Sequence, residues 1–350
     1  MTTTSRRTLA AAALIGLLAT TAACGGGGRS DDDVAGSATV TLDNCGRQAA
    51  FPEPAERLYV YDGGMISMVL SIGAAANVAG IAGLNDDEQV LKRAYGADVV
   101  DALPVATEKS PTLENVIATR PDVVFAGWNY GWNEDDNLTP DALADRDIAA
   151  YTLTESCRQG DGEARGTVPP WDALRTDLTN LGRITGHEDG AAARVADIDE
   201  RLEKLESAPQ ATERPTVFLF DSGTTAPFTS GSFGGPQAII DAAGARNATE
   251  DLEDTWTTVS WERVVSSQPD YVAFVDYPGQ TFEEKVQVLR SNPSTRDLPA
   301  VREGRFLNLP YAAWVSGPLN IDAAEQLRSS LEEQDLVPAT DIRPDVDLVP

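Results

Sequence analysis

Aromatic side chains occupy the positions where this sequence most strongly suggests chemistry, namely the binding of a large organic ligand. They make up only 7% of the 350 residues, yet four of the six Trp fall in polar or glycine-containing loops after predicted strands. Ligands of open α/β folds bind at the carboxyl ends of strands, and exposed rings in loops indicate a contact surface. The predicted ligand-binding residues are Tyr61, Trp128, Tyr130, Trp132, Phe228, Trp256, Tyr277, Tyr311 and Trp314.

Motifs for catalysis or for a resident metal ion are missing from the sequence. His187 is the only histidine, which makes a multi-histidine metal site impossible and argues against a Ser-His-Asp hydrolase. No G-x-S-x-G, H-E-x-x-H or P-loop pattern occurs. The acidic pairs, such as Asp135-Asp136, are most simply solvated loop residues. We therefore expect a binding protein and not an enzyme, with no cofactor and no metal ligands of its own.

The charge balance narrows the choice of partner. Lys and Arg number 27 against 55 Asp and Glu, a net charge of −28, which repels nucleic acid and anionic lipid surfaces. Asp62 and Asp221 lie at predicted strand ends, and the aromatic loops carry no cluster of Arg. A triply negative catecholate complex is therefore disfavoured. Neutral or cationic ligands suit such walls through stacking and cation–π attraction.

The N-terminal residues 1–23 have the pattern of an export signal. Arg6 and Arg7 precede the uncharged apolar run Leu9–Leu18, which is too short to span a bilayer of roughly 30 Å. Cys24 follows in a context that resembles a lipobox, although Thr21 stands where Leu is usual, and Ser5-Arg6-Arg7 leaves twin-arginine export open. We expect lipidation at Cys24 and a flexible tether over residues 24–44. The alternative is a secreted protein with an unmodified cysteine.

Two further cysteines, Cys45 and Cys157, complete the set of three. An even pair in an oxidising compartment predicts one structural disulfide. The alternative is two buried, unpaired thiols.

An internal repeat divides the mature chain into two halves. The segment 112–124, which begins Thr112-Leu113-Glu114, aligns at a constant offset of 148 with the segment 260–272, which begins Ser260-Trp261-Glu262. Each copy has a capping hydroxyl, an acidic residue in the first helical turn, a terminating proline and an apolar strand. This alternation predicts two parallel-sheet α/β lobes, over residues 45–170 and 208–338.

The connector between the halves, residues 171–207, has apolar residues three or four apart, which predicts an amphipathic helix. As one helix it would span about 54 Å, but its glycines predict a break near Gly186–Gly190. Two successive helices are the alternative interpretation. The tail, residues 339–350, contains Pro344 and Pro350 and is predicted to be extended and peripheral.

Together these features resemble the substrate-binding lipoproteins of ABC transporters for iron-siderophores, haem and cobalamin. The phrases "SPTLENVIATRPDVVFAGW" and "WTTVSWERVVSSQPDYVAFVDY" carry the resemblance, which covers nearly all of the mature chain. It implies a ligand cleft between two lobes joined by a long helix, and an acidic residue on each lobe that docks onto Arg residues of the permease. The matching positions are Glu114 and Glu262.

The resemblance also implies the role and the cargo. We expect a monomeric, extracytoplasmic protein, held on the outer face of the membrane by its lipid anchor, that delivers a metal chelate to permease subunits. A ferric siderophore of the hydroxamate type is the favoured ligand, and the Fe(III) chelate is cargo. Cobalamin, haem, bare ferric ion held by paired tyrosines, and a ligand-sensing role without transport remain alternatives.

Overall fold

The computed structural model describes residues 38–84, 87–108 and 110–349. The predicted signal peptide and the predicted lipidation site Cys24 lie outside the described residues. The described residues all belong to one compact unit. None of the helices in the described ranges combines the length and hydropathy that a membrane crossing requires.

The strands of the first half and those of the second half form separate main sheets. In chain order they are β1 (Thr39–Asn44), β2 (Arg47–Pro52), β3 (Leu58–Tyr61), β4 (Val78–Ala82), β5 (Val105–Thr107), β6 (Val123–Trp128), β7 (Gly131–Trp132), β8 (Ala149–Thr152), β9 (Thr216–Phe220), β10 (Phe228–Ser230), β11 (Arg246–Asn247), β12 (Trp256–Thr258), β13 (Tyr271–Asp276) and β14 (Phe306–Pro310). The first-lobe sheet has the order β5-β4-β3-β6, with β7 and β8 both paired to β6. The second-lobe sheet has the order β11-β9-β13-β14.

Helices connect these strands. They are α1 (Gly63–Ser71), α2 (Glu88–Tyr95), α3 (Ala97–Asp101), α4 (Leu113–Ala118), α5 (Pro140–Ala144), α6 (Pro170–Thr185), α7 (Glu188–Ser207), α8 (Gly235–Ala242), α9 (Trp261–Ser267), α10 (Phe282–Ser291), α11 (Pro299–Glu303) and α12 (Asn320–Glu333). Short 3₁₀ turns cover Ala75–Asn77, Thr154–Ser156 and Tyr311–Ala313.

The strand sequences explain why both sheets are parallel and buried. All five residues of β9 are buried, as are five of the six residues in β6 and in β13. Continuous apolar runs of this kind fit strands covered by helices on both faces. Every pairing within the two main sheets is parallel, which confirms the predicted fold class of two parallel α/β lobes.

The internal repeat is visible in backbone detail. Thr112 and Ser260 cap α4 and α9 by accepting hydrogen bonds from the backbone N–H groups three residues on. Arg120 and Gln268, again 148 residues apart, both adopt positive φ, 51° and 46°, just before a proline. The aspartate after each proline holds the backbone at the start of a strand: Asp122 accepts from the Glu56 N–H, two residues before β3, and Asp270 accepts from the Thr216 N–H, the first residue of β9.

A second equivalence relates α1 to α8. Gly73 and Gly244 both take the left-handed conformation, with φ of 84° and 82°. Their N–H groups donate to Leu70 and Asp241, which occupy equivalent positions at an offset of 171. The predicted repeat therefore extends to the glycine turn that ends each helix.

The hairpin of β1 and β2 corrects the predicted tether. Residues 39–44, which the sequence assigned to the flexible segment, form β1 and alternate exposed and buried side chains. Asn44 exchanges hydrogen bonds of 2.7 and 2.8 Å with the Thr152 backbone. The predicted disulfide is present between Cys45, in the hairpin turn, and Cys157. The hairpin is thereby fixed to the edge of the first lobe, and the alternative of two free thiols is excluded.

The connector is a helical hairpin and not one helix. α6 ends at Thr185 and is capped by Gly186, whose φ of 73° is the left-handed conformation that glycine accommodates, and α7 begins at Glu188. The helices fold back on each other, since Arg175 of α6 donates to Asp199 of α7 at 2.7 Å and an added Cβ on Gly182 would lie 2.6 Å from the Ala191 Cβ. The break lies where the glycines predict it, but a single spine of about 54 Å is wrong.

The tail packs more closely than predicted. Leu348 is fully buried, and the backbone N–H groups of Asp345 and Val346 donate to Asp322 of α12. The same carboxylate accepts from Arg201 of α7 at 2.7 Å. The tail therefore joins α7 and α12 and contributes to the core instead of lying at the periphery.

Candidate functional site

A cavity of about 190 Å³ lies where the carboxyl ends of strands from both sheets meet. Its first-lobe residues, Asn129 and Tyr130, follow β6 directly. In the second lobe Asp221 follows β9, Tyr277 follows β13 and Tyr311 follows β14. The remaining lining residues are Arg165, Phe228 and Trp256. The cavity therefore lies at the carboxyl ends of parallel strands, where open α/β folds bind their ligands.

Two pairs of aromatic rings form much of the wall. Phe228 on β10 and Trp256 on β12 are diagonal neighbours of an antiparallel pair, and their rings stack 5.9 Å apart at 23°. Tyr277 and Tyr311 contact each other with ring centroids 4.8 Å apart. Tyr277 is 39% exposed and is the most accessible of the four.

A larger opening of about 700 Å³ adjoins the small cavity and shares Asp221, Phe228 and Tyr277 with it. It is further lined by Thr224, Gln280 and Lys285, among others of the second lobe. Small-molecule sites usually occupy roughly 300–1,000 Å³. The two spaces together therefore suit a ligand larger than the small cavity alone would hold.

Arg165 crosses between the lobes beside the cavity. Its guanidinium donates to the Trp256 carbonyl at 3.0 Å and to the Trp128 carbonyl at 3.5 Å, and Nε lies 3.8 Å from the Asp254 carboxylate. Its backbone N–H also donates to Asp254. Sequence reasoning missed this residue because it lies in a polar loop without periodicity, between two glycine-containing turns.

Buried carboxylates also join the lobes. Asp62, the N-cap of α1, accepts from the Tyr311 hydroxyl at 2.9 Å and from the Gly64 N–H. Glu155 accepts from the Tyr130 hydroxyl at 3.0 Å and from the Gly235 N–H at the start of α8. Burial raises the pKa of both carboxyl groups to about 7, and the hydrogen bonds limit the rise.

Aspartate 221 is the carboxylate that faces both spaces. It is 6% exposed, and burial raises its pKa, with Ser222 and the charge of Lys285 acting in the opposite direction. Lys285 is itself buried, and burial lowers the pKa of its ammonium group. Its Nζ donates to the Val275 carbonyl.

Five of the nine predicted ligand-binding residues line the small cavity: Tyr130, Phe228, Trp256, Tyr277 and Tyr311. Trp128 is half-buried under the guanidinium of Arg158, 3.6 Å from its ring, and lines neither space. Tyr61 also lies outside both linings. Its ring fills the room left by two glycines, since an added Cβ on Gly83 would lie 2.6 Å from it.

The prediction that Trp132 and Trp314 bind the ligand is wrong, because both are core residues. Trp132 is 3% exposed and donates from Nε1 to the Thr152 hydroxyl at 3.2 Å. Trp314 is fully buried and donates to the Phe274 carbonyl at 3.0 Å. Each buried indole satisfies its N–H within the protein and contributes a large apolar area to packing, so neither is available to a ligand.

The two predicted docking residues lie on matching exposed turns. Glu114 and Glu262 are both exposed in the first turns of α4 and α9.

Within the described ranges, no group of three or more His, Cys, Asp or Glu could hold a metal ion. His187 sits at the start of α7, with Nδ1 2.9 Å from the Thr185 carbonyl oxygen.

Comparison with known proteins gives the family. The model of the family described as periplasmic binding protein matches residues 59–313. A periplasmic binding protein from Veillonella parvula superposes with a TM-score of 0.70 at 22% identity, covering 85% of this chain and 98% of that one. A protein of an ABC-type Fe³⁺-hydroxamate transport system from Saccharomonospora viridis gives 0.69 at 22%, covering 83% and 98%.

A periplasmic haem-binding protein from Pseudomonas aeruginosa is also similar, with a TM-score of 0.61 at 20% identity over 85% of this chain and 99% of that one. At these identities the structural likeness shows the shared fold, and the family model shows membership. The chain belongs to the family of periplasmic binding proteins.

Proposed function

We propose that this protein captures a ferric chelate of the hydroxamate type between its lobes and delivers it to a membrane permease. The observation that carries the proposal is the cavity where the strand ends of both lobes meet, walled by stacked aromatic rings and by Asp221. Rings bind the apolar body of an organic chelate, and a carboxylate favours a neutral or cationic ligand over an anionic one.

The charges around the cavity support this choice of ligand. Arg165 is the one basic residue among those that line the small cavity, and the Asp254 carboxylate lies close to it. A triply negative catecholate complex would need more positive charge than this, whereas a ferric trihydroxamate core carries no net charge. One structural relative belongs to a hydroxamate transport system, and another binds haem, so haem is the ligand against which the proposal is tested.

A binding titration tests the proposal. Trp256 lies in the cavity wall, so a bound ferric hydroxamate should quench its emission in a saturable way. The wild-type protein is titrated with a ferric trihydroxamate, a ferric catecholate, haem and cobalamin, and the titration is repeated with Trp256→Phe to identify the quenched ring. Quenching by haem or cobalamin and not by the hydroxamate would refute the ligand assignment.

Delivery to the permease is proposed to use Glu114 and Glu262. Both carboxylates are exposed at equivalent positions of the repeat, one on each lobe. A pair of symmetric acidic contacts suits a permease with two matching basic surfaces. Helix-dipole stabilisation would explain either residue alone, but not why both lobes present one in register.

The membrane attachment remains a proposal as well. Cys24 and the preceding apolar segment predict a lipid anchor. Metabolic labelling with a radioactive fatty acid, compared between the wild type and Cys24→Ala, tests it. Label that persists in the variant would refute modification at this cysteine.

A further inference from the structure

Of the residues that the structure describes, Asp221 is the one carboxylate that lines the small cavity. Asp221 is 6% exposed and lines both the small cavity and the larger opening. In the part of the chain that the structure describes, no ion pair joins it to a Lys, Arg or His side chain, and Ser222 is the residue that hydrogen-bonds to it. A buried carboxylate in this situation gains from an incoming positive charge.

Neighbouring cations are held elsewhere. Lys285 directs its ammonium group to the Val275 carbonyl. Arg165 spans the backbone carbonyls of Trp128 and Trp256, with Asp254 beside its Nε. The charge of Lys285 acts on Asp221, but among the described residues no ion pair holds the Asp221 carboxylate, so it can accept a cationic group of a ligand.

Four aromatic rings share the cavity with this carboxylate. Phe228 stacks on Trp256, and Tyr277 contacts Tyr311. All four line the same space as Asp221. Rings around a positive charge attract it through their negative faces, and the attraction increases when water is excluded.

The volumes of the small cavity and the larger opening suit different parts of a ligand. The small cavity, of about 190 Å³, can hold an alkylammonium group but not a whole trihydroxamate chelate. The adjoining opening of about 700 Å³ has room for the bulk of such a ligand. Asp221, Phe228 and Tyr277 line both, so a ligand extending from one into the other would pass them.

We propose that the small cavity binds a positively charged amine of the ligand, with the Asp221 carboxylate as its counter-ion and the rings of Phe228, Trp256, Tyr277 and Tyr311 as its walls. This inference rests on the proposed function and narrows it to ferric hydroxamates that carry a free amine. Arg165 lines the same cavity and would instead favour an anionic group, which makes a carboxylate-bearing ligand the competing outcome of the test.

The test compares three chelates that differ at one end. Ferrioxamine B carries a free primary amine, its N-acetyl derivative is neutral there, and its N-succinyl derivative carries a carboxylate. The affinity of the wild-type protein is expected to be roughly tenfold or more higher for the amine than for the acetyl form. Asp221→Asn should remove this preference, so that the variant binds the amine and acetyl forms with affinities within about twofold of each other.

Asp276→Asn is the matched control, because Asp276 also lies at a strand end of the second lobe but lines neither space. It should retain the preference for the amine. Equal wild-type affinity for the amine and acetyl forms, tighter binding of the succinyl form, or a preference that survives in Asp221→Asn would each overturn the inference and leave the proposed function standing. Binding of none of the three chelates would overturn the proposed function, and the inference with it. The wild-type comparison keeps the test decisive even where a variant fails to fold.

Discussion

Asp62 links the candidate site to the stability of the whole protein, and its replacement by Asn gives a sharp prediction. The carboxyl group is 4% exposed and accepts hydrogen bonds from Gly64 in its own lobe and from Tyr311 in the other. Asn has nearly the same size, caps helices well and tolerates the positive φ of 77° found here. Asp62→Asn therefore removes the ionisation and preserves the local structure.

The direction of the pKa shift of Asp62 determines whether this group stabilises the protein at low or at high pH. Burial raises the pKa of Asp62 in the folded protein to about 7, against about 3.9 in an unfolded chain. Between these values the folded state holds a proton that the unfolded state has released, so this group adds stability as the pH falls. From about pH 8 to about pH 5 the contribution grows by about 2–3 kcal/mol, and it is absent above the folded pKa.

Urea unfolding followed by tryptophan emission measures this difference. The wild-type protein should gain more unfolding free energy between about pH 8 and about pH 5 than Asp62→Asn gains, by about 2–3 kcal/mol. Asp135→Asn, a change of the same kind at an exposed loop position, should behave as wild type. The reasoning would be refuted if Asp62→Asn retained the full wild-type pH dependence.

Other predictions concern the tail, a core tryptophan and the docking residues. Leu348→Ala should lower the unfolding free energy by about 2–5 kcal/mol because the side chain is fully buried, whereas Val349→Ala, next to it and 45% exposed, should change it by less than about 0.5 kcal/mol in urea unfolding. Trp132→Phe should lower the unfolding free energy by at least about 1 kcal/mol, since it removes a hydrogen bond and leaves a gap in the core, and should leave ligand affinity unchanged by calorimetry; a large loss of affinity would return this residue to the site. The double variant Glu114→Lys with Glu262→Lys should bind ligand normally but abolish uptake of the labelled chelate, and normal uptake would contradict the docking role.

The fold could be predicted because the local sequence pattern of helix cap, proline and apolar strand repeats where the structure repeats. Pro121 and Pro269 end helices and precede apolar strands in both lobes, and the backbone around them is equivalent. These signals are local and depend on backbone chemistry that each residue carries with it. Gly186 likewise predicted the connector's break, but not that α6 and α7 would fold back on each other, since that depends on contacts between distant residues.

The position of the site could be predicted from the sequence, but only some of the residues that line it could. Strand ends identify the right edge of each sheet, yet they do not say which aromatic rings turn inward. Trp132 and Trp314 follow the same pattern as Tyr130 and Tyr311 but line neither space, because their large apolar rings pack into the core. Arg165 was not predicted, since its role comes from hydrogen bonds across the lobes that sequence spacing does not reveal.

Calorimetric titration of the wild type, Phe228→Ala and Phe282→Ala with a ferric trihydroxamate tests the central claim most directly. Phe228 lines both spaces of the site, whereas Phe282, also a half-buried ring of the second lobe, lines neither. Saturable binding to the wild type and to Phe282→Ala, weakened roughly tenfold or more in Phe228→Ala, is the predicted result. Equal affinity of all three proteins, or no binding to the wild type, would contradict it.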